Sequence, residues 1–157
     1  MAVIDEFLAA AQVRLNRFNV FISADIFGYV TWNSGDPQIG QQLDAPAGRL
    51  DYLSPMLYPS GFGFGIPGYR DPMAAPYEIV KRSLQRARER TGVRWRPWLQ
   101  AFQDYAFDHR NFGGPEIRAQ IDAAEAEGAD GWMLWNPRNR YSADGLKTGA
   151  VPSRSAP

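Results

Sequence analysis

The chain has 157 residues, the length of one ordinary domain, and 45 % of them are hydrophobic, enough for a single packed core. Seventeen basic residues balance seventeen acidic ones, so no net field draws in nucleic acid or an anionic membrane. The absence of cysteine excludes disulfides and cysteine-ligated metal and leaves the compartment open.

Met1 to Ala11 carries Asp5 and Glu6 and has neither a basic leader nor a long apolar run, so it reads as neither signal peptide nor membrane span. Val3, Ile4, Phe7, Leu8, Ala11 and Leu15 recur at helical steps and predict one apolar stripe on a helix from about Val3 to Arg17. Val20 to Asp25 is β-rich with almost no polar alternation, the pattern of a parallel strand covered on both faces. A shorter helix is expected around Ile39 to Ala47, its end made ragged by Pro46 and Gly48. Tyr52 to Tyr58 reads as a second strand, although Pro55 within it cannot donate a ladder hydrogen bond.

Gly61 to Gly65 alternates glycine with phenylalanine but lacks the Lys-Ser/Thr ending of a phosphate-cradling loop, and reads as a flexible lid or loop. From Pro76 to Arg90, Tyr77, Val80, Leu84 and Ala87 fit a helix that opens on proline and stops before Gly92. Trp95 to Phe102 supplies a third strand. A helix then starts at Pro115, carries Ile117, Ile121 and Ala124, and ends at Gly128, and Gly131 to Trp135 supplies the fourth strand. Strands alternating with helices imply an α/β fold with a parallel sheet, because parallel neighbours need a crossover. Residues 142–157 turn to Ser, Gly, Pro, Ala and Arg, the composition of a disordered tail after a domain over residues 1–141.

Functional groups in parallel α/β folds collect at the carboxyl ends of the strands. Those ends carry Asp25 with Tyr29 and Trp32, then Met56 and Tyr58, then Trp98 and Gln100, then Trp135 and Asn136. A carboxylate straight after an apolar run needs a polar cleft or a hydrogen-bonding partner, so Asp25 is the candidate catalytic acid, with a structural or capping role as the alternative. The aromatic side chains suit sugar faces, and Gln100 and Asn136 suit hydroxyls; the tryptophans suit a core equally well. Asp104, Asp108 and His109 read as a solvated loop, and the one histidine has no clustered ligands for a metal.

At Ser23 to Gly28, Asp51 to Ser60, Arg96 to Gln100 and Gly131 to Pro137, with Pro76 to Val80 and Gly128 to Asp130 between them, the chain resembles the bacterial putative glycosyl hydrolase domain family. The resemblance implies a partial (β/α)8 TIM barrel, with about four parallel strands corresponding to the last four and flanking helices. It implies a carbohydrate partner and a role as a fragment of a glycoside hydrolase acting on a polysaccharide or oligosaccharide; the residues themselves lead us to expect no cofactor and no metal. Family members carry an acidic residue at the end of the fourth strand, and that block has no counterpart here. Asp25 is then one of two required carboxyl groups, which would sit about 5–5.5 Å apart for retention or about 6.5–9.5 Å apart for inversion. The fragment is expected to be inactive alone, its open strand edges covered by an N-terminal half-barrel or by a second copy. A non-catalytic glycan-binding or interaction module is the alternative.

Overall fold

The computed structural model describes residues 2–43 and 48–146. Helix α1 (Ala2–Leu15) runs into a short 3-10 turn, Asn16–Phe18. Then come β1 (Ser23–Phe27), β2 (Tyr52–Met56), α2 (Pro76–Arg90), β3 (Arg94–Trp95), β4 (Trp98–Gln100), α3 (Gly114–Ala126) and β5 (Met133–Trp135). Every strand pair is parallel, in the order β1-β2-β4-β5, with β3 beside the first half of β2. Asp51 locks the register of the first pair. Its carboxylate accepts the Ile22 N–H at 2.7 Å, while the Asp51 and Tyr52 N–H groups donate to the Ile22 carbonyl.

The pleat sends alternate side chains to opposite faces. Ile26, Leu53, Leu57, Trp95 and Leu99 point outward and meet Ile79, Val80, Leu84 and Ala87 of α2 and Ile117, Ile121 and Ala124 of α3, forming the core. Burying a side chain such as Leu53 or Leu99, both 0 % exposed, stabilises the fold by roughly 1.5–3 kcal/mol. The inner face carries Ser23, Asp25, Tyr52, Ser54, Trp98 and Trp135. Ser23 and Ser54 share a hydroxyl hydrogen bond of 3.1 Å, and Arg94 and Arg96 each lie 4.4 Å from the Tyr52 ring centre. No helix covers this face among the described residues.

Several expectations need correction. β1 is not covered on both faces: Phe21 and Phe27 are 72 % and 54 % exposed, because β1 is a sheet edge and its inner side is open. The stripe on α1 is present but mostly unpacked. Phe7 is 69 % exposed, only Leu8 of the stripe packs partly against the core, and the helix is tied down by Asp5, which accepts two hydrogen bonds from Arg49 at 2.6 and 2.9 Å.

The third strand splits in two around Arg96 and Pro97, and Pro55 explains where. The Tyr52 N–H donates to Ile22, just before β1, and the Leu57 N–H, just past β2, donates to Trp98, so by alternation position 55 faces β3 and β4. A proline there has no N–H to give, and the partner strand breaks beside it.

The helix expected around Ile39 to Ala47 is not formed over residues 39–43. There Asp36 accepts the N–H groups of Ile39, Gly40 and Gln41 in a side-chain-stapled turn; residues 44–47 lie outside the described residues. The glycine-phenylalanine segment is packed rather than free, with Phe62 1 % exposed. Of the expected tail, residues 147–157 lie outside the described residues, while Gly145 accepts a hydrogen bond from Arg118 of α3. No helix of the described residues is long and apolar enough to cross a membrane.

Replacing Leu53 by Ala should cost about 2–5 kcal/mol in urea unfolding, the range for a core cavity. Phe7→Ser, at an exposed site, should change the same measurement by less than about 0.5 kcal/mol.

Candidate active site

The strands end side by side, and the loops leaving them enclose a cleft of about 810 Å³, within the roughly 300–1,000 Å³ of small-ligand sites. Tyr29, Met56, Tyr58, Trp135 and Asn136, all expected from strand position, line it. One close approach builds its floor. A Cβ on Gly28 would lie 2.5 Å from the Met56 carbonyl and 2.9 Å from the Phe62 ring, so only glycine lets the loops after β1 and β2 meet there.

Asp25 sits one inner-face position deeper than Phe27, a cleft residue. The Trp98 indole N–H donates to its Oδ1 at 3.0 Å, and the Trp98 ring meets the cleft's Trp135 edge to face, 5.9 Å between centres. Asp25 is exposed and also borders a hollow of about 190 Å³ with Ile4, Phe7 and Leu8 at the open edge of β1. Trp98 thus couples the carboxylate to the cleft rather than lining it.

Tyr58 packs edge-on against Phe102 at 5.4 Å. Burial, followed by the nearby charges of Asp25, Tyr141 and Tyr105, holds its phenol well above the usual tyrosine range. At neutral pH it is a protonated hydroxyl that can donate a hydrogen bond, and it is no base.

Two expected site residues lie elsewhere. The Trp32 indole donates to Ser83 of α2 at 2.8 Å, and its ring lies under Arg86 at 4.7 Å, on the helix-covered side of the sheet. Gln100 is 0 % exposed. Its amide donates to the Ser60 hydroxyl at 2.7 Å and to the Phe102 carbonyl at 3.2 Å, and accepts the Ser60 N–H at 3.0 Å, so it clamps the loops after β2 and β4 together. Asn136 both lines the cleft and holds its rim, donating to the Ala101 carbonyl and accepting the Arg138 N–H at 2.9 Å.

Asp104 is buried, not solvated. It accepts the Ser60 hydroxyl at 2.7 Å and the N–H groups of Ala106, Phe107 and His109 at 2.8 to 3.1 Å. Burial pushes its carboxyl up, but these four hydrogen bonds outweigh it and hold the group well below the usual carboxylate range. The loop it organises brings Phe102, Tyr105 and His109 to the cleft. Sequence reasoning missed Phe102, Tyr105, Arg138 and Arg140 as lining residues. Their place just past strand ends was the available signal; nothing in the sequence marked the Ser60, Gln100 and Asp104 cluster.

This α/β chain, whose strand exits converge on an aromatic cleft, matches over residues 1–141 the family described as putative glycosyl hydrolase domain, and the chain belongs to that family. No curated protein matches it. Similar solved structures include the following two. The PgaB (BpsB) glycoside hydrolase domain from Bordetella bronchiseptica is 17 % identical with a TM-score of 0.49, covering 74 % of this chain and 31 % of that one. Bee venom hyaluronidase is 17 % identical with a TM-score of 0.38, covering 77 % of this chain and 32 % of that one. The chain thus spans about a third of the length of each.

Because Asp104 has its folded-state pKa lowered, its contribution to stability is whole above the unfolded value of about 3.9 and is lost as pH falls below it. Urea unfolding of Asp104→Asn should show a loss of about 1–3 kcal/mol at neutral pH. The difference from the parent chain should shrink as the pH is lowered through the acid range.

Proposed function

We propose that the chain forms one wall of the glycan cleft of a glycoside-hydrolase-like (β/α)8 barrel, with β1, β2, β4 and β5 in the places of its last four strands. Asp25 serves as one of the two carboxyl groups that glycoside hydrolysis requires, either as acid/base or as stabiliser of the positively charged transition state. The observation that carries this reading is the grouping of Asp25, Trp98, Trp135 and Tyr58 at the exit ends of parallel strands. The Trp98 indole holds the carboxylate and in turn contacts Trp135, which lines the aromatic cleft. Exposed aromatic faces suit the apolar faces of sugar rings, and the Tyr58 hydroxyl and Asn136 amide suit their hydroxyls.

Turnover needs a second carboxyl group. Among the described residues that line the cleft, Asp104 is the one carboxylate, and its four acceptor positions are occupied by Ser60, Ala106, Phe107 and His109. This favours a chain that binds glycan by itself and needs another barrel half to cleave it. The open edge of β1, flanked by Phe21 at 72 % and Phe7 at 69 % exposure, is where an N-terminal half-barrel or a second copy would add strands. A non-catalytic glycan-binding module is the second reading, favoured by the same occupied Asp104.

The test is binding and turnover of bacterial polysaccharide fragments by the whole chain and by Asp25→Asn. Binding should survive the substitution, and any turnover should vanish with it. Trp135→Ala should weaken binding about tenfold, roughly 1.4 kcal/mol. A folded chain that binds no glycan would contradict both readings.

Light scattering should find the chain self-associated, or joined to the missing half when that is supplied. A monodisperse monomer with a cooperative melt would count against the need for a covered edge.

A further inference from the structure

We infer that the cleft takes an acidic glycan, one bearing carboxylate groups such as a uronate polymer, and that Arg138 and Arg140 read the charge. This inference rests on the glycan reading above and names its substrate class. The chain as a whole has no net charge, so any cationic site must come from local placement. The charged or titratable side chains along the cleft are Arg138, Arg140, His109 and Asp104, with tyrosines beside them.

Asp104 contributes little to a ligand, because three donors of its own loop and the Ser60 hydroxyl already occupy its oxygens. Arg138 and Arg140, by contrast, form no ion pair with a described residue. Arg110, in the loop after β4 that borders the cleft, is already paired with Asp108.

The loop that carries the two arginines is pinned. The Asn136 side chain accepts the Arg138 N–H at 2.9 Å, and the Asn139 N–H donates to the Asn136 carbonyl at 3.0 Å. The Asn136 N–H donates to the Tyr141 hydroxyl at 3.2 Å, and Asn139 turns the chain with a φ of 52°. Two guanidinium groups are therefore offered to the cleft from one short turn. A planar guanidinium pairs with a carboxylate through two parallel N–H···O bonds, and it does so with more geometric discrimination than a lysine would. Trp135 lines the same cleft, so a sugar ring on its face has both guanidinium groups among its neighbours.

The experiment uses the whole chain and measures its affinity for oligogalacturonate and oligoalginate, each beside its carboxyl-reduced neutral counterpart. Each charged member should bind about fivefold or more tightly than its neutral partner at low salt, and the difference should shrink at about 0.5 M salt, where exposed charges are screened. The double variant Arg138→Gln, Arg140→Gln should abolish the preference for the charged member of each pair. A control double variant, Arg14→Gln on α1 with Arg17→Gln in the 3-10 turn that follows it, removes the same charge outside the cleft lining and should keep the preference. Equal binding of charged and neutral glycans would overturn the acidic-glycan inference while leaving the glycan reading standing. An equal loss in the control variant would trace the effect to overall charge and overturn it too. No binding of any of the four probes would sink both.

Discussion

Parallel strands are ordinarily sheltered on both faces, and the helices α2 and α3 shelter only one face of this sheet. That asymmetry decides most of what the chain can do. The covered face spends its leucines, isoleucines and Trp95 on a core against two amphipathic helices. The other face is free to present groups that no core would accept: a carboxylate on β1, an indole donor on β4 and an exposed tryptophan on β5. A carboxylate on a fully covered strand would carry a large desolvation cost; on this face Asp25 keeps water on one side and a hydrogen bond from Trp98 on the other.

The cleft follows from the same geometry, but its walls depend on a polar cluster beneath them. Ser60, Gln100 and Asp104 are all buried, and together they tie the loop after β2 to the loop after β4. Gln120 of α3 completes the arrangement, accepting the Gln100 N–H at 2.9 Å and donating to its carbonyl at 2.9 Å. Such a cluster is stable because every member has partners, and removing one strands the rest. The residues that hold the site in shape are thus different from those that face a ligand.

Much of this was legible from residue order. Strand β2, helices α2 and α3 and the parallel alternation follow from apolar spacing and from proline and glycine at element ends, and Tyr58, Trp135 and Asn136 follow from strand-exit position. What escaped has particular causes. Trp32 lies just beyond the end of β1, yet the 3-10 turn at Gly28–Thr31 swings it to the helix-covered side, a rotation that no periodicity encodes. Gln100 sits at a strand exit and looks like a ligand residue; only three-dimensional neighbours reveal that its amide is already committed. Asp104, in a loop rich in Asp and Arg, reads as solvated because the four donors that bury it come partly from Ser60, far away in sequence. The exposure of β1 escaped because an apolar run looks alike whether its cover lies in the same molecule or in another.

The central claim is that Asp25 of β1 and Trp98 of β4 form one hydrogen-bonded unit on the inner face, joined to the cleft through Trp135. The indole N–H resonances of the tryptophans, followed by heteronuclear NMR in the parent chain and in Asp25→Asn, test this most directly. The Trp98 signal should shift strongly, the Trp135 signal weakly through its ring contact, and the Trp32 signal not at all, since Ser83 holds it on the far side of the sheet. An unmoved Trp98 resonance, or a larger shift at Trp32, would contradict the account.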